Sequence, residues 1–185
     1  VAGVSRRLFN TAEYHSMAVA GILAEDDRVE LISGDIVTMP PIGSQHAGCV
    51  RELTRLLLRG LGDRAIVSPQ NPILLDDASE PQPDVAVLRS HSGGYRSAHP
   101  RPADVLLVIE VADTSVDYDR QVKLPLYARA GIPEAWLVRL QDASLEVHRN
   151  PSATGYQEMR TLRAGDRVSL LAFPDLALAI ADILG

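Results

Sequence analysis

Asp84, Glu110 and Lys123 are the residues whose types and spacing point to chemistry. Asp84 heads an apolar run, Val85 to Leu88, within the string P-Q-P-D-V-A-V-L. Glu110 stands near the end of a longer run, Val105 to Val111, rich in valine and isoleucine. Both runs have the length and composition of buried strands. If they pair antiparallel, the start of one lies beside the end of the other. Two carboxylates far apart in sequence then meet at one edge of a sheet. Two anions about 4 Å apart repel by roughly 1 kcal/mol in water and by more in a protein interior. Such a pair needs a proton or a cation between its members. A hard divalent cation with oxygen ligands, Mg2+ or Mn2+, suits it. Glu110 is the harder of the two to explain otherwise, because burying a carboxylate at the end of an apolar strand is costly unless it is paired or metal-bound.

Lys123 is the only lysine among 18 basic residues. A chain this biased toward arginine keeps a lysine where a compact ammonium is wanted. The pattern places it on a helix that starts near Val116 or Asp117, after Asp113-Thr114-Ser115, and closes at Gly131. Val122, Leu126 and Ala130 trace its apolar stripe, and Lys123 and Tyr127 the adjacent one. Arg120 precedes Lys123 by one turn and is a candidate phosphate contact. Asp117 and Asp119 lie in the first turn, where the helix dipole favours anions, and read as structural. Pro125 removes a hydrogen bond to Gln121 and predicts a bend.

The elements that must position these residues follow in chain order. Asn10-Thr11-Ala12-Glu13 has the form of a capping box and opens a short helix to about Gly21. Arg28 to Met39 reads as a β-hairpin turning at Gly34-Asp35, with Glu30 in its first strand. Pro40-Pro41-Ile42-Gly43 breaks the chain, and Ser44 caps a long helix to about Leu61. On that helix Val50, Leu53, Leu57 and Gly60 face inward, with Cys49 in the core pattern. Arg51, Arg55 and Arg59 recur every four residues as a basic stripe, either a solvated face or a set of phosphate contacts at Arg51 and Arg55. Arg64 to Ser68 and Ile73 to Leu75 read as strands, and Ala135 to Leu140, apolar on both faces, as a central one. Beyond it, Leu145 to His148 and Tyr156 to Leu162 read as strands separated by Asn150-Pro151-Ser152. Val168 to Leu171 follows as a short strand, and Leu176 to Leu184 is open between helix and extended chain. His148, alternating with apolar neighbours, reads as a surface strand residue.

Taken together, P-x-P-D, E-V-A, D-x-x-x-K and L-Y-A-R-A-G-I-P-E-A-W-L-V resemble the Uma-two family of restriction-endonuclease-like proteins, within the PD-(D/E)XK nuclease superfamily. The resemblance runs from about Tyr14 to the C-terminus. It implies an α/β (α+β) domain with an αβββαβ core, its mixed central sheet flanked by helices, with an N-terminal helix plus hairpin and extra C-terminal strands. It implies a metal-dependent phosphodiesterase using Mg2+ or Mn2+, with Asp84 and Glu110 as metal ligands, joined by the Val111 carbonyl, and Lys123 as the active-site lysine. The lysine expected two residues after the glutamate would fall at Ala112; in this family it migrates to the following helix, which matches Lys123. The E-L-I-x-G motif implies a further carboxylate at Glu30, although a strand glutamate facing solvent or an arginine is an equal reading. His46 is implied near the site, a helix-start histidine being the alternative.

Length and composition bound the rest. A chain of 185 residues with 46% hydrophobic and 23% charged residues fits one globular domain, residues 1–185. Its apolar runs fall short of a membrane span, and the N-terminal stretch V-A-G-V-S-R-R-L-F-N lacks the apolar core of a signal peptide. The single cysteine, Cys49, excludes an internal disulfide and fits a cytoplasmic location. A net charge of −6 counts against tight nucleic-acid binding, although charge can be segregated by face. Endonuclease action on DNA is the default expectation by family analogy. A nucleic-acid-binding accessory protein with a vestigial site, and a metal-dependent hydrolase of a small phosphate ester, are the alternatives. A homodimer, which would present two sites to two strands, is a further expectation.

Overall fold

The computed structural model describes residues 5–24 and 26–185. The first four residues, part of the N-terminal stretch read above for a signal peptide, lie outside the described residues. The chain opens with helix α1 (Thr11–Val19), closed at its start by reciprocal hydrogen bonds between Asn10 and Glu13. Strands β1 (Val29–Ile32) and β2 (Asp35–Thr38) form the expected hairpin. It turns one residue earlier than Gly34-Asp35: Ser33 and Gly34 both have positive φ, 50° and 85°, the two-residue turn that matches strand twist, and Asp35 already pairs with Ile32.

Helix α2 (Ser44–Leu61) leads into β3 (Ala65–Pro69), β4 (Val85–Arg89) and β5 (Val105–Ala112). The helical crossover consists of α3 (Val116–Tyr118), a wide π turn over Asp119–Lys123, and α4 (Leu124–Arg129). It returns the chain to β6 (Glu134–Arg139), parallel to β5. Strands β7 (Ser144–Ser152) and β8 (Gly155–Arg163) complete a six-stranded sheet in the order β3-β4-β5-β6-β7-β8. Every other pairing in it is antiparallel, so the sheet is mixed and the αβββαβ order holds. A small pair, β9 (Arg167–Leu170) and β10 (Phe173–Ala179), and helix α5 (Ile180–Leu184) end the chain.

Alternation along the strands divides the interior into two apolar layers. Leu53, Leu57 and Leu61 of α2 pack with Val85, Val87, Ile109 and Trp136 on one face. Leu124, Tyr127 and Ile132 pack with Ala86, Val108 and Leu137 on the other. The second face carries the candidate residue Glu110, which lies between Val108 and Ala112 on β5, in step with them.

Several local expectations are corrected. Ile73 and Leu75 are buried, but the segment joins no strand; its amides bond to loop carbonyls of Pro81, Pro100 and Ser79. Gly43, not Ser44, is the N-cap of α2, and no side chain closes it. β7 runs on through Asn150-Pro151-Ser152, with Asn150 at φ 58°, so the hairpin turns later than the proline suggests. The segment after Leu176 is both alternatives in turn, strand and then helix. Pro125 coincides with the π turn just before it: having no N–H, it leaves one rung of the ladder empty, and the helix widens there.

Candidate active site

Strand register brings the two carboxylates together. Val85 of β4 lies opposite Ile109 of β5, so Asp84 and Glu110, one step further on each, converge where β4 begins. Asp84 Oδ2 accepts a hydrogen bond from the Val111 amide at 2.9 Å and from His46 Nε2 at 2.9 Å. The Val111 carbonyl points to the same side as its amide, as extended backbone requires, and Val111 lines the same pocket. His46 enters from the first turn of α2. Its Nδ1 is buried and has no hydrogen-bond partner among the described residues. Asp84 holds its pKa above the ordinary imidazole value through that hydrogen bond, burial opposing.

Glu30 arrives from the hairpin. The Glu80 amide donates to the Leu31 carbonyl, tying β1 to the segment that leads into Asp84. Glu30 is buried, and its Oε2 accepts from the Gln82 amide at 3.1 Å. Lys123 reaches down from the π turn between the two glutamates. Its Nζ lies 3.2 Å from Glu30 Oε2 and 3.0 Å from Glu110 Oε1. Tyr127, one turn later and fully buried, donates its hydroxyl to the same Glu110 oxygen at 2.6 Å. Asp119, one turn earlier, is also buried and accepts from the Ser115 hydroxyl at 2.6 Å.

The electrostatics are lopsided. Burial pushes the Glu110 carboxyl up to about 8; Lys123 pulls it down, while Asp119, Asp84 and Glu30 push it further up. Burial alone would strip the Lys123 ammonium, but Glu110, Glu30 and Asp119 outweigh it and hold the proton more tightly than usual. Four acidic groups thus crowd around one buried lysine and one histidine, a surplus that a cation would relieve. The hydrogen bonds engage one oxygen of Asp84 and one of Glu110, leaving the other oxygen of each for a ligand. Among the described residues no three His, Cys, Asp or Glu side chains converge as a ready-made metal cage. Two carboxylate oxygens and a backbone carbonyl, completed by water and substrate oxygens, are nonetheless a donor set that fits Mg2+ or Mn2+, which are commonly held by one or two carboxylates.

Of the candidate residues, Asp84, Glu110, Val111, Lys123, Glu30 and His46 all line one pocket. Arg51 and Arg55 do not: they lie exposed on α2, with Arg55 engaged by Glu52. Arg120 turns away from the pocket to Glu146 on β7. His148 is no surface residue; its side chain is mostly covered and bonds the other Glu146 oxygen at 3.2 Å. Asp119, expected to be structural, also lines the pocket. Its place four residues before Lys123 in D-x-x-x-K was the available signal. Tyr127 stood on the lysine's stripe, but nothing in the sequence marked its hydroxyl as a Glu110 partner.

The sequence profile of the Uma2 family, described as "Putative restriction endonuclease", matches residues 11–181. A crystal structure of "a putative nuclease belonging to DUF820" from Anabaena variabilis ATCC 29413 is similar in fold, with a TM-score of 0.70. It shares 18% identity over 84% of this chain and 89% of its own. No curated protein matches the chain.

Proposed function

Because this chain belongs to the Uma2 family, we propose that it is a metal-dependent nuclease that hydrolyses phosphodiester bonds at the Asp84–Glu110–Lys123 site. The observation that carries the reading is the buried Lys123 ammonium held 3.0 Å from Glu110 at the edge where Asp84 begins its strand. Asp84, Glu110 and the Val111 carbonyl would hold Mg2+ or Mn2+. The chemistry such an ion would supply there is polarisation of a phosphoryl oxygen and a lowered pKa for bound water.

The chain's own residues do the rest. His46 and the Val111 amide fix one Asp84 oxygen and so orient the other. Tyr127 does the same for Glu110. Lys123 offers a permanent positive charge where negative charge develops on the phosphoryl oxygens, in a site largely shielded from water. Glu30, its Oε2 fixed by the Gln82 amide, holds that ammonium in place without discharging it.

The test is cleavage of plasmid and oligonucleotide DNA with Mg2+ or Mn2+ against an EDTA control. Glu110→Ala, Asp84→Ala and Lys123→Ala are expected to lower the rate by about 100-fold or more each, the size of losing one preorganised electrostatic group. Full activity of Lys123→Ala would remove the lysine from the mechanism. Metal-independent cleavage would remove the ion.

A further inference from the structure

The pocket itself narrows the substrate class. It has a volume of about 260 Å3 and is built in two halves. One half is polar and deep: Glu110 and Lys123 form its floor, 3% and 4% exposed. The other is an apolar wall made by Val37, Met39, Pro40, Pro41 and Ile42, where the hairpin runs into α2. Arg28 pins this wall by donating to the Pro40 carbonyl at 2.6 Å. At its far end the wall closes on the loop after β5: a Cβ at Gly43 would lie 4.0 Å from Asp113 Oδ2. Two polar atoms with no partner among the described residues, the Tyr118 hydroxyl and His46 Nδ1, belong to residues lining the space between.

Such a space suits one nucleotide. A phosphate that reaches the floor must pass below the protein surface, and the sugar and base attached to it must follow. In a duplex they are stacked and paired, and removing a nucleotide costs a few kcal/mol. In a single strand or a frayed end they are free to enter, with the apolar wall receiving the base and the two unpartnered polar atoms facing its polar edge. Charge favours the same choice. Five carboxylates line the pocket against Arg28 and Lys123, and the arginine stripe Arg51, Arg55 and Arg59 is not part of it. With a net charge of −6, little counterion release is available to hold a long duplex.

Resting on the nuclease reading, we propose that the substrate is an unpaired nucleotide, in a single strand or at a frayed end, inserted singly with its base against the Val37–Ile42 wall. The experiment uses the full chain with Mn2+ and one labelled oligonucleotide in three forms: single-stranded, blunt duplex, and duplex with a single-stranded tail. The expected result is cleavage at least about 10-fold faster for the single strand and the tail than for paired regions. Its KM should depend only weakly on salt, with a log–log slope of order one, as for one or two phosphate contacts. Ile42→Asp, a half-exposed position at the pocket rim, should raise KM for the single strand. Duplex cleaved as fast as single strand would overturn the inference and leave the nuclease reading standing. Cleavage of none of the three forms would overturn that reading and the inference with it.

Discussion

Lys123 is the side chain on which the site balances. It is the countercharge for two buried glutamates, and removing one partner of a buried ion pair costs about 3–5 kcal/mol. Lys123→Met is therefore expected to lower stability by that order in urea unfolding without added metal. The double variant Lys123→Met, Glu110→Gln should recover part of the loss, because the two residues are in contact and their effects do not add. A single variant as stable as the wild type would mean that the glutamates are satisfied some other way. Cys49 gives a second check at this scale. Burial pushes its thiol up to about 12, so at pH 8 it should resist alkylation by iodoacetamide in the folded protein and react only after unfolding. Rapid labelling of the native chain would show α2 opening more readily than its packing suggests.

The elements carry geometry and charge that the residues alone do not explain. The π turn over Asp119–Lys123 sits where Pro125 leaves a gap in the helix ladder. Pro125→Ala restores a donor and should favour regular α-helix, leaving stability unchanged or higher while activity falls as Lys123 turns out of line. Retained activity would separate the π turn from function. On the far side of the same sheet face, β7 supplies Glu146, which accepts from Arg120 and Arg139 and from His148. Burial pushes this carboxyl up, but its hydrogen bonds to His148 and Arg120, and the charges behind them, bring it down to about 2 from an ordinary 4.5. A depressed carboxylate stabilises the fold fully above its unfolded pKa and loses that contribution as pH falls through the folded value. The stability gap between wild type and Glu146→Gln is thus expected to be constant above about pH 5 and to shrink toward pH 2. A gap that stays constant to pH 2 would show that the Arg120–Glu146–His148 cluster does not act through charge.

For the molecule as a whole, the surplus of carboxylates at the site would link the proposed metal binding to stability. An ion that binds the folded state and not the unfolded one raises the melting temperature in proportion to the logarithm of its concentration. Mn2+ should raise the Tm of the wild type, EDTA should reverse the rise, and Glu110→Ala should abolish it. A rise that persists in Glu110→Ala would place the ion elsewhere. No helix among the described residues is long and apolar enough to cross a membrane.

Much of this was legible in one dimension, for local reasons. Apolar runs at Val85–Leu88 and Val105–Ile109, the first preceded by Asp84 and the second followed by Glu110, already marked two buried strands with a carboxylate at one end of each. The capping box of α1, a hairpin turn containing Gly34 and the lone lysine followed from short-range rules of backbone and charge. What no local rule contains is register and facing. Only the pairing of β4 with β5 sets Asp84 beside Glu110, and only the packing of the crossover helix on that face turns Lys123 inward and Arg120 away to Glu146. The same packing made His148 an interior partner and drew Asp119 into the pocket. Residues adjacent in sequence were sent to different sites, because a side chain's partners are chosen by the surface its element is pressed against.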